Sequence, residues 1–227
     1  MVRVGNQGSD GGYLICKNFV GGEGIINIGV NGEDSFGCHL STLHAMPNHM
    51  YDCTNPSMSP CSTNQGRNRF NYVCVGATSE KTSQKEFHSL LDMIKLKGLL
   101  KKHIFLKIDC EGGEYPGFKY FPVEQLEFID QITGELHFDF IYPEEWGMLD
   151  IFRTLREHFE PVDFHMNNYG CMPNRRLPSR AIEFTFVNKK LIKLRSQSRT
   201  FAQHPLARPN NPRSRDCQIP PNLSPAP

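Results

Sequence analysis

The chain has 227 residues, 38% of them hydrophobic and 16 of them phenylalanine, with a formal net charge of +1 at pH 7. This length suits one large folded domain with a substantial core. No apolar stretch approaches the ~20 residues of a membrane span, and the start of the chain has no signal-peptide core. We therefore expect a soluble chain, with the cytoplasm as its default location and the compartment itself left open.

The last part of the chain, residues 193–227, differs in composition from the rest. It holds seven of the 16 prolines, six of the 25 Lys/Arg and one of the 24 Asp/Glu. It has no apolar periodicity, which predicts a disordered tail rich in Pro, Arg and Asn. Residues 1–192 then carry 19 basic and 23 acidic side chains, a charge of −4. They are predicted to form one domain, and nucleic acid is not expected as its partner.

Strand-like and helical segments alternate along the proposed domain. Strands are predicted at 24–30, 49–54, 70–78, 103–109 and 129–138, and helices at 34–46, 85–100, around 114–121 and at 143–159. Two later strands, 162–167 and 181–188, are joined by a turn-rich segment and predict an antiparallel pair. The alternation predicts an α/β fold, with a mostly parallel sheet, helices on both faces and a C-terminal hairpin of strands.

The eight cysteines include no CxxC pair and no paired zinc spacing. Because Cys74 and Cys110 lie in apolar, strand-like sequence, we expect mostly buried free thiols. A disulfide between Cys53 and Cys61 stays open as an alternative. Both cysteines border or lie in the turn-rich segment 55–69, which is long for a compact domain and is predicted to be a mobile or functional loop, with a substrate lid as one possible role.

Ligands of parallel sheets bind beyond the carboxyl ends of the strands, where the strand order reverses. The turn after the first strand begins at Gly29 and opens the next helix with Glu33 and Asp34. These carboxylates would repel a pyrophosphate, which argues against NAD and FAD, whereas S-adenosylmethionine carries an ammonium group and no phosphate. Asp34 could instead only cap the helix. Asp52, 23 residues past Gly29, is placed to accept hydrogen bonds from ribose hydroxyls.

The segment FLKIDCEGGEY, residues 105–115, resembles the K-I-D-x-E-G-x-E signature of FkbM-type S-adenosylmethionine-dependent methyltransferases and related animal methyltransferase-like proteins. Other segments are similar to the family in the same order, from about residue 3 to 188: RVGNQGSDGGYLI, IGVNGEDSFGCHL, YDCTNP, ELHF and NNYGC…IEFTFV. Asn31 and Gly32 depart from the more usual Gly/Asp-rich turn. The resemblance implies a Rossmann-like class I methyltransferase fold with a seven-stranded sheet.

The resemblance also implies S-adenosylmethionine as the cofactor and assigns residues to its binding. These cofactor-binding candidates are Gly29, Asn31, Glu33, Asp34, Asp52, Thr78, Asp109 and Glu111. Asp52 would bind the ribose, the turn at Thr78 would lie near the adenine, and the last two would line the cleft beside the methyl donor. Glu114 is expected only to support the first turn of the next helix.

Methyl transfer requires the alignment of donor and acceptor, and an oxygen acceptor must also lose a proton. His137 and Glu135 lie on one face of a predicted strand, with Asp109 nearby, and these three are the catalytic candidates. We interpret His137 as the base, or else as a structural histidine. His165 and Asn167 on a later strand are weaker candidates for orienting the substrate.

The acceptor is expected to be a hydroxyl or carboxyl group of a small molecule, glycan or lipid, and the oligomeric state stays open. An oxygen-ligand site for Mg²⁺ or Mn²⁺ built from Asp109, Glu111 and Asp139 is compatible with the sequence but not required by it. One alternative is a methyltransferase fold that binds without catalysing. Another is an iron oxygenase built on the His137–Asp139 pair and a further histidine, His165 or His204. The predicted helices disfavour this second alternative, whose chemistry usually occurs in all-β barrels.

Overall fold

The computed structural model describes residues 1–18, 22–57, 61, 66–138, 148–172, 179–192 and 204–217. The strands are β1 (Val2–Gly5), β2 (Gly12–Ile15), β3 (Gly24–Ile28), β4 (Asn48–Asp52), β5 (Asn68–Tyr72), β6 (Cys74–Gly76), β7 (Glu80–Lys81), β8 (Glu86–Ser89), β9 (Ile104–Ile108), β10 (Ile129–His137), β11 (Phe159–Met166) and β12 (Ala181–Asn188). The helices are α1 (Ser35–His44), α2 (Leu90–Leu96), α3 (Glu114–Lys119), α4 (Val123–Leu126) and α5 (Met148–His158).

Seven strands form the central sheet, in the order β11-β12-β10-β9-β3-β4-β5. Only β12 runs antiparallel to its neighbours within this sheet. Every residue of β3 and β9 is buried, as expected for parallel strands covered on both faces. The Rossmann-like α/β fold predicted from the sequence is therefore confirmed, including the antiparallel pair at the C-terminal end of the domain.

Two apolar clusters cover the two faces of the sheet. Ile26 and Ile28 of β3 pack in the cluster that includes α2, α3 and α5. Ile25 and Phe105 point to the opposite face, where α1 and the β1–β2 hairpin pack. The chain continues from β3 to β4 on one side and returns to β9 on the other, so the strand order reverses between β3 and β9.

The predicted helix at 85–100 is wrong at its start. Residues 86–89 form β8, which pairs with β6 through Phe87 and Cys74, and α2 begins only at Leu90. The Ser89 hydroxyl accepts a hydrogen bond from the Asp92 backbone N–H at 3.1 Å, so Ser89 is the residue that starts the helix. The predicted strand at 70–78 is likewise split into β5 and β6, and β6 leaves the central sheet.

The expectation of mostly free thiols is wrong. Disulfides join Cys38 to Cys61, Cys53 to Cys74, and Cys171 to Cys217, which also excludes the Cys53–Cys61 pairing. Cys16 and Cys110 are the free cysteines. The bonded pairs are separated by 21 to 46 residues. They meet only because distant segments converge in the fold, so their spacing did not indicate the pairing.

The predicted disordered tail is wrong for residues 204–217, which we call the strap. Asn210 of the strap is only 1% exposed, and its carbonyl oxygen accepts a hydrogen bond from the Asp10 N–H at 3.1 Å. The Asn168 side-chain amide donates to the Asn211 carbonyl oxygen at 2.9 Å. Hydrogen bonds and a disulfide hold this segment in place. Such contacts do not require apolar residues at a regular spacing, so they could not be recognised from the sequence. The rest of the predicted tail lies outside the described residues, as do residues 58–60 and 62–65 of the predicted lid at 55–69.

Among the described residues, no helix combines the length and apolar character that crossing a membrane would need.

Candidate functional site

A cleft of about 830 Å³ lies at the carboxyl ends of β3, β4, β9 and β10, beside the point where the strand order reverses. It brings together most of the predicted site residues: Gly29, Asn31, Glu33, Asp34, Asp52, Asp109, Glu111, Glu135 and His137. Thr78 does not line this cleft; it borders a smaller depression beside Leu90 and Tyr120. We use "the cleft" for the larger site throughout.

The cleft is strongly acidic. Among the described residues, seven carboxylates line it: Asp10, Glu33, Asp34, Asp52, Asp109, Glu111 and Glu135. The basic side chains in its described lining are Lys107, Arg180 and His137. Such an excess of negative charge in a concave site attracts cationic groups and repels phosphates.

The turn that forms the floor of the cleft requires glycine at position 29. Gly29 has a φ of +80°, and a Cβ atom there would lie 1.5 Å from the carbonyl oxygen of Asp109. Its N–H donates to the Tyr51 carbonyl oxygen at 2.8 Å. The backbones of β3 and β9 therefore approach closely at the point where both strands end, which only glycine permits.

Asp52 ends β4 and organises the loops around it. Its Oδ1 accepts hydrogen bonds from the backbone N–H of Thr54 and Asn55 at 2.8 and 3.0 Å, and its Oδ2 accepts one from the Asn31 N–H at 2.7 Å. Burial acts to raise the pKa of this carboxyl, but the hydrogen bonds from Asn55, Asn31 and Thr54 outweigh it and lower the pKa. Asp52 is therefore an ionised acceptor at neutral pH.

Asp34 is occupied by a structural task. It is the N-cap of α1, and its Oδ1 accepts from the Gly37 N–H at 2.6 Å and from the Asn27 amide at 2.7 Å. Its Oδ2 accepts from the Asn48 amide at 2.7 Å. The side chain therefore ties α1 to β3 and β4, which matches the capping alternative. Glu33 beside it is exposed, so the acidic pair divides into a buried cap and an exposed carboxylate.

Asp109 is held by two residues that sequence reasoning missed, Tyr13 and Lys107. The Tyr13 hydroxyl donates to Asp109 Oδ2 at 2.7 Å, and Lys107 Nζ lies 3.4 Å from the same oxygen. Burial raises the pKa of Tyr13 well above its usual value, so the phenol stays a donor. Lys107 Nζ also donates to the carbonyl oxygens of Ile28 and Gly29. A lysine inside the otherwise apolar run IFLKI was the signal that could have revealed it.

Glu114 does more than support a helix turn. It is fully buried, and its two carboxylate oxygens accept hydrogen bonds from the backbone N–H of Cys110 and Gly112, both at 2.8 Å. Its Oε1 also lies 2.9 Å from His137 Nδ1. The Gly112–Gly113 turn and α3 therefore lock one carboxylate that fixes the orientation of the His137 ring.

The other ring nitrogen of His137 faces three carboxylates. Its Nε2 lies 3.2 Å from Glu135 Oε2 and 3.8 Å from both Asp109 Oδ1 and Glu111 Oε1. Burial alone would lower the histidine pKa, but the bonds to Glu114 and Glu135 raise it to about 11. The imidazole is therefore held in its protonated form in this arrangement, a form that donates a proton rather than accepting one.

Glu135 has the opposite character. Burial raises the pKa of its carboxyl to about 7, opposed by the bond to His137 and reinforced by nearby Asp109 and Glu183. Its Oε1 accepts a hydrogen bond from the Asn167 amide at 2.6 Å. We call Asp109, Glu135 and His137 the cleft cluster. Chemically, this group of oxygen and nitrogen atoms can exchange a proton or ligate a cation.

A second acid–histidine group lies on β11 and β12, and we call Asp163, His165 and Glu183 the covered cluster. His165 Nδ1 lies 3.1 Å from Glu183 Oε2, and its Nε2 lies 3.3 Å from Oδ1 of Asp216 in the strap. His165 does not line the cleft, whereas Asn167 does. The mostly parallel sheet disagrees with the iron-oxygenase alternative, whose chemistry usually occurs in all-β barrels. Asp139 of that alternative lies outside the described residues.

Comparison with known proteins gives matches in structure only. No protein-family model matches the sequence, and no curated protein sequence matches it significantly. Three similar solved structures are a fibrillarin/Nop5p complex (13% identity, 75% of this chain and 74% of that one, TM-score 0.42), a putative SAM-dependent methyltransferase from Streptococcus mutans (11%, 74% and 45%, 0.40) and the methyltransferase domain of bacterial CtHen1-C (9%, 74% and 91%, 0.40). The FkbM-type resemblance stays a prediction.

Proposed function

We propose that this protein is an S-adenosylmethionine-dependent methyltransferase that acts on an oxygen acceptor. The observation that carries the proposal is the charge of the cleft: seven carboxylates line a site at the reversal of strand order. A cofactor with a sulfonium and an ammonium group, and without phosphate, matches this charge. A dinucleotide with a pyrophosphate does not.

The residues present fit the cofactor. Asp52 Oδ2 accepts one hydrogen bond, from Asn31, and a carboxylate oxygen has capacity for a second, such as one from a ribose hydroxyl. Glu33 offers an exposed carboxylate at the edge of the same turn, suited to an ammonium group. Gly29 keeps the backbone turn between these two acids compact. Thr78 has no part in this proposal because it lies outside the cleft.

Methyl transfer depends mainly on the alignment of donor and acceptor by the protein. When bound, S-adenosylmethionine supplies an electrophilic methyl group: the acceptor oxygen forms a bond to that carbon, the sulfur–carbon bond breaks, and the acceptor releases its proton. Tyr13 and Lys107 contact Oδ2 of Asp109 and hold this side chain in a fixed position. Asp109 is therefore suited to act beside the reacting atoms. A carboxylate of the cleft cluster, Asp109 or Glu135, is placed to accept that proton.

Titration calorimetry with S-adenosylhomocysteine, the demethylated product, tests the proposal on the full chain. Wild-type protein is expected to bind it, and Asp52→Asn should weaken binding by about tenfold, or ~1.4 kcal/mol, because one ribose contact is lost. Glu33→Gln should weaken it by a smaller factor, since the site is exposed. Glu124→Gln, an exposed carboxylate on α4, is the matched control and should leave binding unchanged.

A folded wild-type protein that does not bind the nucleoside would overturn the cofactor assignment. Because Asp52 also organises its own loop, thermal melts of Asp52→Asn must accompany the titration. Equal binding by Asp52→Asn and wild type would remove the ribose contact while leaving the cleft as the site.

The three disulfides bear on the compartment. Disulfides persist in oxidising environments and are rare in the cytosol. We propose that the protein works in an oxidising compartment rather than in the cytoplasm taken as default. Alkylation of free thiols in protein isolated from its native source tests this: two reactive cysteines after denaturation support it, and eight contradict it.

The second candidate function is a methyltransferase fold that binds without catalysing. It is favoured by one observation, the engagement of both His137 ring nitrogens by carboxylates. Incubation of the protein with methyl-labelled S-adenosylmethionine and fractionated small metabolites, glycans and lipids separates the two. Label transferred to any fraction supports the enzyme, and cofactor binding without transfer to any fraction supports the binding module.

A further inference from the structure

We propose that Asp109, Glu135 and His137 bind a divalent first-row transition-metal ion, and that this ion holds the acceptor oxygen. The binding of the ion stands on the geometry of the cleft cluster. Its role toward the acceptor rests on the proposed methyltransferase function.

The spacing of the cluster fits one ion. A ligand atom from each of the three side chains lies within 4.8 Å of the other two. His137 Nε2 is 3.2 Å from Glu135 Oε2 and 3.8 Å from Asp109 Oδ1. Ligands held at about 2.1 Å from one metal lie roughly 3 to 4.2 Å apart, depending on the angle between them. The cluster therefore reaches coordination distance with only small side-chain movements.

A second, independent observation concerns the far side of the His137 ring. Metal-ligating histidines almost always engage their other nitrogen with a carboxylate or carbonyl, which fixes the ring. Here Nδ1 lies 2.9 Å from Oε1 of Glu114, which is fully buried and bonded to the N–H groups of Cys110 and Gly112. Nε2 is thereby the nitrogen directed at Asp109 and Glu135, as a metal ligand must be.

The negative charge around His137 also favours the binding of a cation. Four carboxyl groups surround the ring: Asp109, Glu111, Glu114 and Glu135. The charged neighbours that offset them are Lys107 and the imidazole itself. Counted as ionised, these groups leave an excess of two negative charges, and a divalent ion that displaces the Nε2 proton of the imidazole reduces this excess to one. Glu111, 72% exposed and 3.8 Å from Nε2, is in reach as a further ligand.

The ligand set selects the kind of metal. Mg²⁺ and Ca²⁺ prefer oxygen ligands alone, whereas a histidine nitrogen beside two carboxylates suits Mn²⁺, Fe²⁺, Co²⁺ or Zn²⁺. This differs from the all-oxygen site on Asp109, Glu111 and Asp139 considered from the sequence. Two of the present ligands come from β10 and one from the end of β9, so the sheet itself fixes their separation.

A neighbouring group of three carboxylates resembles the cleft cluster, but a side chain of the strap already lies among its oxygens. Asp10, Glu135 and Glu183 also have oxygens within 4.8 Å of one another. The amide nitrogen of Asn210 lies among them, donating at 2.9 Å to Asp10 Oδ1, at 2.7 Å to Glu183 Oε1 and at 3.4 Å to Glu135 Oε1. The strap thus supplies the donor there, and we assign no ion to that group.

An ion in the cleft cluster would lie beside Asp109, where the proposed function places the reacting atoms. Coordination of the acceptor oxygen to the ion lowers the pKa of the hydroxyl, so that its proton is released to solvent. The oxygen is then both held and made more nucleophilic. This supplies a route to proton loss that does not require His137 as the base.

The test uses Mn²⁺ and the full chain, without cofactor. Wild-type protein is expected to bind one equivalent, seen as loss of the free-ion signal in electron paramagnetic resonance, with pulsed spectra showing coupling to one histidine nitrogen. Glu135→Gln and His137→Gln should each weaken Mn²⁺ affinity at least tenfold, and the second should remove the nitrogen coupling. Glu183→Gln, which pairs in register with Glu135 on β12, is the matched control and should retain the affinity.

The outcomes distinguish the two proposals. Weak, non-saturating Mn²⁺ binding, binding without nitrogen coupling, or an equal loss in Glu183→Gln overturns the metal site. Titration of the same samples with S-adenosylhomocysteine reports on the cofactor independently. Nucleoside binding without Mn²⁺ binding removes the metal inference alone, and Mn²⁺ binding without nucleoside binding removes the proposed function alone. Thermal melts of each variant show that it is folded.

Discussion

The central sheet carries two acid–histidine clusters that look alike in composition and differ in access. The cleft cluster sits at the carboxyl ends of β9 and β10, with the Nε2 of His137 directed at carboxylates that line the cleft. In the covered cluster both nitrogens of His165 meet carboxylates, one of them supplied by the strap. Asn210 of the strap completes the cover by donating to Glu183.

The difference shows that residue types alone do not define a functional site. Each cluster has one buried histidine and at least two carboxyl groups. What separates them is access. The strap covers His165 and Glu183, whereas Asp109, Glu135 and His137 line the cleft, where a ligand can reach them. Substitutions in one cluster should therefore have effects that matched substitutions in the other cluster do not have.

The largest effect is expected from the two glutamates that pair across β10 and β12. With the acceptor fraction that wild-type protein methylates, Glu135→Gln should reduce product formation at least 100-fold, because it removes charge and a ligand from the cleft cluster. Glu183→Gln should keep the rate within threefold and lower the melting temperature instead. Rates that fall equally in both variants would erase the proposed difference between the clusters.

Removing the disulfide that anchors the strap should have the next largest effect. The double change of Cys171 and Cys217 to serine should lower the free energy of unfolding by about 3 kcal/mol, because the unfolded chain is no longer cross-linked. Urea unfolding under non-reducing conditions measures it. Cys16→Ser, at a free cysteine, is the control; a double variant as stable as that control would show that the strap contributes nothing.

Asn210→Ala tests the cover directly. The amide donates to Asp10 Oδ1 and Glu183 Oε1 and, at 3.4 Å, to Glu135 Oε1, and leaving a buried carboxylate without a donor costs roughly 1–3 kcal/mol. We expect a loss near 2 kcal/mol by urea unfolding, with nucleoside binding in the cleft retained. Asn211→Ala on the same strap, whose side chain bonds only within the strap, should cost less than half as much.

A smaller and pH-dependent effect is expected at Asp163. Burial and nearby Glu183 raise the pKa of this carboxyl from 3.8 to about 6. Below pH 4 the group is protonated in both states. As the pH rises to about 6 the unfolded chain releases its proton first, so the folded state loses relative stability, and the full cost remains above pH 6. Asp163→Asn should therefore stabilise the protein by about 1–2 kcal/mol at pH 8 and by almost nothing at pH 4.

Melting curves of both proteins at the two pH values give this difference. Asp92→Asn supplies the opposite sign, because hydrogen bonds from Ser79 and Ser89 lower the pKa of Asp92. That variant should lose stability at pH 8 relative to pH 4. A stabilisation of Asp163→Asn that is the same at both pH values would contradict the electrostatic explanation.

Much of the fold was predictable because its signals are local. Apolar runs bounded by turn residues located the central strands, and the alternation with helices gave a parallel sheet. The rim residues followed from the rule that strand ends meet at one edge, which correctly grouped Gly29, Asp52, Asp109 and His137. The predicted start of the helix at 85–100 was wrong because the helix begins after its N-cap, Ser89.

The remaining features depend on contacts between distant segments. Tyr13 meets Asp109 across 96 positions, and Asn210 meets Asp10 across 200. The spacing of the sequence carries no record of either contact. Glu114 was predicted only to support the first turn of a helix, because it lies where a helix begins. Its bond to His137 forms only when α3 packs beside β10. The state of His137 depended on that bond, so its role as a base could not be judged from the sequence.

The disulfides near the cleft have a consequence for how the protein matures. Cys38 pairs with Cys61 and Cys53 with Cys74, so the two loops interlock, which is one of three ways to pair four cysteines. The alternative that joins neighbours, Cys38 with Cys53 and Cys61 with Cys74, closes two shorter loops and is favoured by loop entropy before the sheet forms. If that pairing forms first, the native connectivity requires thiol–disulfide exchange, and we expect the yield of correctly paired protein to rise when a disulfide isomerase is present during oxidation.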